Sequence, residues 1–232
     1  MRNVFIKALD EVDLAVKAKQ KAKDTKAFTA RLPKMQNYVG MSKEKRALLM
    51  KVIKQDGMLE GGVVVFERMV EVANVLIEDL EKEGIDCALI NSKLSQKGRL
   101  KASDWFMESP SNKVVVITEA GAESVSLHST RNLILYSCPN GPGKYTQTIG
   151  RVCRDFGKFN DFNIHFIVVE DTLDEYKQIL LSSKKELEME ILHSDTIQVK
   201  NDMKSFDLTV LKKLRQRMLW KTGKLKRKPK GI

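Results

Sequence analysis

Four consecutive apolar residues, Val63-Val64-Val65-Phe66, open a region in which short apolar runs and amphipathic stretches take turns. An unbroken run of this length reads as a strand covered on both faces, the pattern of a parallel sheet. Behind it, Ala73, Leu76, Ile77 and Leu80 fall at helical spacing, which predicts a helix over Val70–Leu80. Ile85–Ile90 reads as a second strand. Ser95–Met107 reads as a helix, with Leu100 and the pair Trp105-Phe106 as core anchors. Lys113–Thr118, Asn132–Ser137 and Asn163–Val169 supply three more strands. Strands alternating with helices predict an α/β fold built on a parallel sheet. Function in such sheets gathers at the carboxyl ends of the strands, where Thr118 and the loop after Ser137 fall.

The flanks read differently. Phe5, Leu9, Val12 and Val16 mark an amphipathic helix over residues 3–20. Leu32–Gly40, with Pro33 and Gly40, is expected to be a loop. Ser42 is a candidate N-cap for a helix over Lys43–Gln55 that turns Leu48, Val52 and Ile53 inward. Leu173–Leu192 and Phe206–Trp220 read as charged helices. Thr222–Ile232 has no apolar period and is expected to be disordered when free.

Charge separates the same regions. Residues 1–60 carry 14 Lys+Arg against 7 Asp+Glu, a net +7. Residues 61–199 carry 15 against 21, a net −6, and residues 200–232 carry 12 against 2, a net +10. The α/β region is thus mildly acidic, and the basic flanks suit a phosphate backbone. Solvated lysines without a partner are the plainer reading. No apolar run approaches the length of a membrane span, and Met1-Arg2-Asn3-Val4-Phe5 lacks a signal-peptide pattern. An intracellular protein, cytoplasmic or nucleoid-associated, is expected. Cys87, Cys138 and Cys153 lie far apart and read as reduced thiols, and no zinc-ligand spacing occurs. His165, between Ile164 and Phe166, reads as packed rather than catalytic.

Gln147-Thr148-Ile149-Gly150-Arg151-Val152-Cys153-Arg154 holds two arginines three residues apart, at what reads as the opening of a helix. That spacing puts both guanidiniums on one face, suited to a polyanion such as a phosphoryl group in transfer. The octet alone leaves a second reading open, a surface pair bound to neighbouring carboxylates. Upstream lies Thr118-Glu119-Ala120-Gly121-Ala122-Glu123-Ser124-Val125-Ser126-Leu127, between two strands.

This ordered set resembles the second RecA-like lobe of superfamily-2 helicases and translocases, closest in pattern to the Snf-type branch. Thr118–Leu127 resembles motif V, although Ser124-Val125-Ser126 stands where a second glycine is usual and His128 where a polar or small residue is common. Gln147–Arg154 resembles motif VI, Q-x-x-G-R-x-x-R. Ser95-Gln96-Lys97-Gly98-Arg99 resembles the motif that opens the helix after the second strand. The resemblance implies an ATP-dependent DNA helicase or translocase that uses ATP and Mg2+. It implies Arg151 and Arg154 as arginine fingers, and Gln147, Gly150, Gly121 and Glu123 as nucleotide-side residues. Thr118, Ser95, Lys97, Arg99 and Lys144 become candidate contacts to nucleic acid, duplex DNA by preference. The tail adds Lys224, Lys226, Arg227 and Lys228. Residues 1–60 then form a helical inter-lobe segment, 61–171 the lobe, 172–220 a helical extension and 221–232 a basic tail.

Half of such an active site is missing. No G-x-x-x-x-G-K-[ST] loop and no acidic magnesium box occur. Gly141-Pro142-Gly143-Lys144 imitates the former, but Cys138 stands where its first glycine belongs, Tyr145 follows the lysine, and Pro142 lacks an N–H for a phosphate. The chain alone is therefore expected to be inactive, with a first lobe supplied in cis or in trans. The rival reading is a non-catalytic nucleic-acid-binding module that keeps the motor lobe as a scaffold.

Overall fold

The computed structural model describes residues 9–10, 12–14, 17, 31–55, 57–122, 125–139, 141–152, 161–175, 177–179, 181–182, 215–217 and 219–227. Most of the expected helices over 3–20, Leu173–Leu192 and Phe206–Trp220 lies outside these residues, as do Glu123, Ser124, Cys153, Arg154, His193 and Lys228. The chain forms two compact units, one spanning Lys43–Val168 and the other combining Met1–Ser42 with Val169–Ile232.

The first unit is the expected α/β layer. Helix α2 (Lys43–Ile53) leads into β1 (Val63–Phe66), α3 (Val70–Lys82), β2 (Asp86–Ile90), α4 (Gln96–Glu108), β3 (Lys113–Ile117), α5 (Glu119–Ala122), β4 (Asn132–Leu135), α6 (Pro142–Val152) and β5 (Asn163–Phe166). The strands form one five-stranded sheet in the order β2-β3-β1-β4-β5, every pair parallel. Burial follows that order. β1, β4 and Val114–Ile117 of β3 are sealed from solvent, whereas the edge strands β2 and β5 are mostly half-buried. An apolar run with no alternation is what a strand covered on both faces requires.

Helix α3 buries Val72, Ala73, Leu76 and Leu80, close to the predicted stripe, with Ile77 half-buried. Helix α4 is capped by Ser95, whose Oγ accepts the Gly98 N–H at 3.1 Å. Its core anchor is Phe106, with Trp105 packed beside the core. Leu100, expected to anchor the core, is 45% exposed. Leu48 of α2 is likewise exposed, and Leu49 and Ile53 turn inward with the buried Lys45. In both helices the apolar stripe is short, and a shift of one residue rotates the buried face by about 100°. Lys45 places its ammonium 4.4 Å from the centroid of the fully buried Tyr136 ring. Such a contact allows a cation to sit in an apolar layer.

A polar knot ties the amino ends of the central strands. Asn132 is 1% exposed, and its Nδ2 donates to the carbonyls of Met58 and Gly62 at 3.0 and 3.1 Å. Its Oδ1 accepts from Asn163 Nδ2 at 2.9 Å. Thr130 Oγ1 adds a 2.6 Å bond to the Gly62 carbonyl. Gly62 has φ +70, and a Cβ there would meet Pro110 O at 2.4 Å, so only glycine fits.

In the second unit, Leu32–Gly40 is a helix, α1, rather than the expected loop. Pro33 stands within its first two positions, where the missing N–H breaks no bond, so the proline starts the helix instead of excluding it. The same unit holds an ion-pair cluster. Asp171, fully buried and at φ 59, faces Arg217 and Lys221, and its N–H donates to Glu175 Oε2 at 2.6 Å. Arg217 also reaches Glu175 Oε1 at 3.1 Å, and Arg215 pairs with Asp13. No helix among the described residues is long and apolar enough to cross a membrane. No group of His, Cys, Asp and Glu among them could hold a metal ion.

Burial raises the Cys87 thiol to about 11, with Glu81 and Asp86 adding to the shift. The thiol stays protonated through neutral pH, so alkylation at Cys87 is expected to be slow at pH 8 and to rise steeply toward pH 11, read by mass spectrometry. Replacing Asn132 with Ala leaves the Met58 carbonyl without this donor and Asn163 Nδ2 without this acceptor, while the Gly62 carbonyl keeps Thr130. It should cost about 2–3 kcal/mol by urea unfolding; a loss under about 0.5 kcal/mol would show the knot to be dispensable.

Candidate nucleic-acid and nucleotide edge

The carboxyl ends of β1, β2, β3 and β4 converge on one edge of the sheet, and the loops leaving them carry most of the candidate residues. Backbone bonds fix that edge. Thr118 N donates to Ile90 O at 3.0 Å, Glu67 N to Ile117 O at 3.0 Å and Tyr136 N to Phe66 O at 3.0 Å.

Thr118 is 2% exposed, and its Oγ1 accepts the Gly121 N–H at 3.4 Å. Its hydroxyl oxygen is thus turned into the first turn of α5. Gly121 is required by a close approach. A Cβ there would meet Ile90 O at 2.1 Å and Asn91 Cα at 2.7 Å. The motif V turn therefore lies directly on the β2–α4 loop, in which Asn91 Oδ1 accepts the Lys93 N–H at 3.0 Å.

The next segment, 125–128, is held from two sides. Ser103 Oγ of α4 donates to Ser126 O at 2.8 Å. On the other side, Leu127 N donates to Arg151 O at 2.9 Å, and Arg151 Nη1 reaches Val125 O at 3.5 Å. The motif V segment is thereby joined to both α4 and α6 within one unit, far apart as they are in sequence.

Gln147–Val152, the described part of the motif VI octet, lies in the second half of α6, which opens at Pro142 and not near Gln147 as its sequence suggests. Pro142 at a first helical position explains the early start. It also accounts for Gly141-Pro142-Gly143-Lys144, which forms the entry to α6. Gln147 and Gly150 are exposed, and Arg151 and Lys144 are half-buried. Nothing described lies within 4 Å of a Cβ built at Gly150. Lys97 is exposed. Arg99 is half-buried, and its Nε is buried with no hydrogen-bond partner among the described residues. Lys224, Lys226 and Arg227 are exposed and belong to the second unit.

Sequence reasoning passed over three residues at this edge. Arg68 and Glu67 follow β1 directly, and Ser137 follows β4. Their signal was position alone: Glu67 and Arg68 lie one and two residues past a predicted strand end, and Ser137 is such an end.

Comparison with known proteins shows what this geometry is similar to. Residues 44–155 match the model of the helicase conserved C-terminal domain. A stretch of 93 residues is 32% identical to the RNA polymerase-associated protein RapA of Klebsiella pneumoniae (strain 342), covering 40% of this chain and 10% of that protein. In fold, the chain is similar to the SWI2/SNF2 ATPase core of Sulfolobus solfataricus solved in complex with double-stranded DNA. That match has TM-score 0.64 at 19% identity and covers 80% of this chain and 42% of that one. It is also similar to the C-terminal part of the Fun30 ATPase domain, with TM-score 0.57 at 18% identity, covering 78% and 56%. Residues 44–155 are thus similar to the helicase conserved C-terminal domain, and the five-stranded parallel sheet flanked by helices matches the RecA-like fold of such lobes. The chain spans about a tenth of the length of the curated relative it matches.

The two glycines make a direct test of the geometry. Gly121→Ala forces a methyl into the Ile90 carbonyl and should destabilise by about 1–3 kcal/mol in urea unfolding. Gly150→Ala meets no described atom and should stabilise α6 by up to about 1 kcal/mol. Equal effects at the two sites would contradict the packing of motif V on the β2–α4 loop.

Proposed function

We propose that this chain supplies the second ATPase lobe of an ATP-dependent DNA translocase, completed by a first lobe in the same or another chain. The observation that supports this most is the joining of the Thr118–Leu127 segment to α6 through Leu127 and Arg151. A segment suited to a nucleic-acid backbone and the helix that carries Arg151 then move as one body. That is what coupling between a track and a nucleotide requires.

In this reading Arg151 and Arg154 face the phosphates of a nucleotide held by the first lobe. Gln147, Gly150, Gly121 and Glu123 lie on the nucleotide side. ATP with Mg2+ supplies the phosphoryl group. The residues present fit only the arginine half of its site, since the segment entering α6 lacks the first glycine and the hydroxyl of a phosphate cradle. The arginines neutralise charge that grows in the transition state, worth about 10³–10⁵ in rate for residues of this kind. Lys97, Ser95, Arg99 and Lys144 contribute contacts to duplex DNA, while Thr118, buried with its Oγ1 on the Gly121 N–H, supports the turn beside them. Residues 1–60 and 172–220 serve as helical flanks, and the tail through Lys228 as a basic arm. The exposed Lys224, Lys226 and Arg227 would equally serve a non-catalytic binding module.

ATP hydrolysis separates the two readings. It is expected to be absent for the chain alone, with or without duplex DNA. It should appear when a first-lobe fragment from the same genome is added, and vanish with Arg154→Ala. Hydrolysis in no mixture, with salt-sensitive DNA binding retained, would sink the catalytic reading and leave the binding module.

A further inference from the structure

Arg68 occupies a position that no motif assigns to it. Its backbone N–H donates to Ser137 Oγ at 2.9 Å, and its guanidinium Nε reaches Glu119 Oε2 at 3.3 Å. One residue thus links the ends of three strands, β1 through its own chain, β4 through Ser137 and β3 through Glu119. The base from which the side chain extends is itself fixed. Glu67 N is bound to Ile117 O, Glu67 Oε1 accepts the Met69 N–H at 2.7 Å, and both Tyr136 and Ser137 donate to Phe66 O. The pair is largely enclosed, with side-chain exposures of 15% for Arg68 and 24% for Glu119.

Glu119 directly follows Thr118 and opens α5, the turn seated on Ile90 through Gly121. A carboxylate at this point has two consequences. It adds a negative charge beside a segment suited to phosphates, and like charges at contact distance oppose binding. It also gives the turn a handle that a fixed cation can hold.

We propose that Arg68 is a positioning residue for the motif V turn, acting through Glu119, and that the same ion pair cancels a charge that would repel a phosphate backbone. The second half of the proposal rests on the function given above; the first does not. Arg68 fixes the turn against the end of β1 while Gly121 lets it lie close on β2. The electrostatic role predicts a signature that simple loss of a cation does not give. Removing Arg68 exposes Glu119, and removing Glu119 as well should return much of what was lost.

The test uses the full 232-residue chain with Arg68→Ala, Arg68→Lys, Glu119→Gln and the Arg68→Ala/Glu119→Gln double variant. Amide hydrogen exchange at Thr118 and Gly121 is read beside Val64 and Val115 in the core strands, and duplex-DNA binding at two salt concentrations. In Arg68→Ala, exchange at Thr118 and Gly121 should rise about ten-fold with the core amides unmoved, and Arg68→Lys should stay near the parent. DNA affinity should fall about ten-fold in Arg68→Ala and recover to within about three-fold of the parent in the double variant. Unchanged exchange in Arg68→Ala overturns the positioning role. A double variant that binds DNA more weakly than Arg68→Ala overturns the charge-cancelling role. If the parent chain binds no duplex at all, the function proposed above fails, and the exchange measurement alone decides the role of Arg68.

Discussion

The candidate edge depends on three adjacent parallel strands, β3, β1 and β4, whose apolar side chains are shut off from water. Backbone polar groups in such a layer have no solvent to turn to, so each must pair within the ladder. The ladder sets the register, Val65 against Val116 on one side and Ile134 on the other. Register in turn fixes where each chain leaves the sheet. Thr118, Glu67 and Tyr136 emerge side by side because of this. The side chains at the edge inherit their precision from a core that carries no chemistry.

The edge is consequently stiff at its root and adjustable further out. Close to the strands, main-chain bonds dominate: Thr118 to Ile90, Glu67 to Ile117 and Tyr136 to Phe66. One layer out, side chains take over, with Ser103 on Ser126 and Arg68 on Glu119. Such contacts exchange partners at modest cost, whereas the inner ones break only with the sheet.

Much of this was legible in the sequence, for definite reasons. β1 coincides with Val63–Phe66, since a strand buried on both faces leaves no polar residue to blur its ends. The motif V and VI segments were readable because their glycine and arginine spacings are unusual. Helix α1 was misread because Pro33 is a breaker inside a helix and a starter at its beginning, and composition does not tell the two apart. Leu100 and Leu48 were misplaced because short amphipathic stretches leave the phase of the buried face open. The Arg68–Glu119 pair spans 51 positions, and only the parallel pairing of β1 with β3 brings it together. The Asn132 knot escaped for a related reason: a buried asparagine and a surface one look alike until their partners are placed.

The ion-pair cluster around Asp171 changes what the basic C-terminal segment amounts to. By sequence, residues 200–232 look like a reservoir of positive charge. In the folded chain Arg215, Arg217 and Lys221 already face Asp13, Asp171 and Glu175. Each such pair neutralises charge that would otherwise gather anions from solution. A polyelectrolyte that met this segment would displace fewer of its own condensed ions than the count of lysines and arginines suggests. The segment's formal charge and its thermodynamic valence are different quantities, and a single carboxylate out of reach of water accounts for much of the difference.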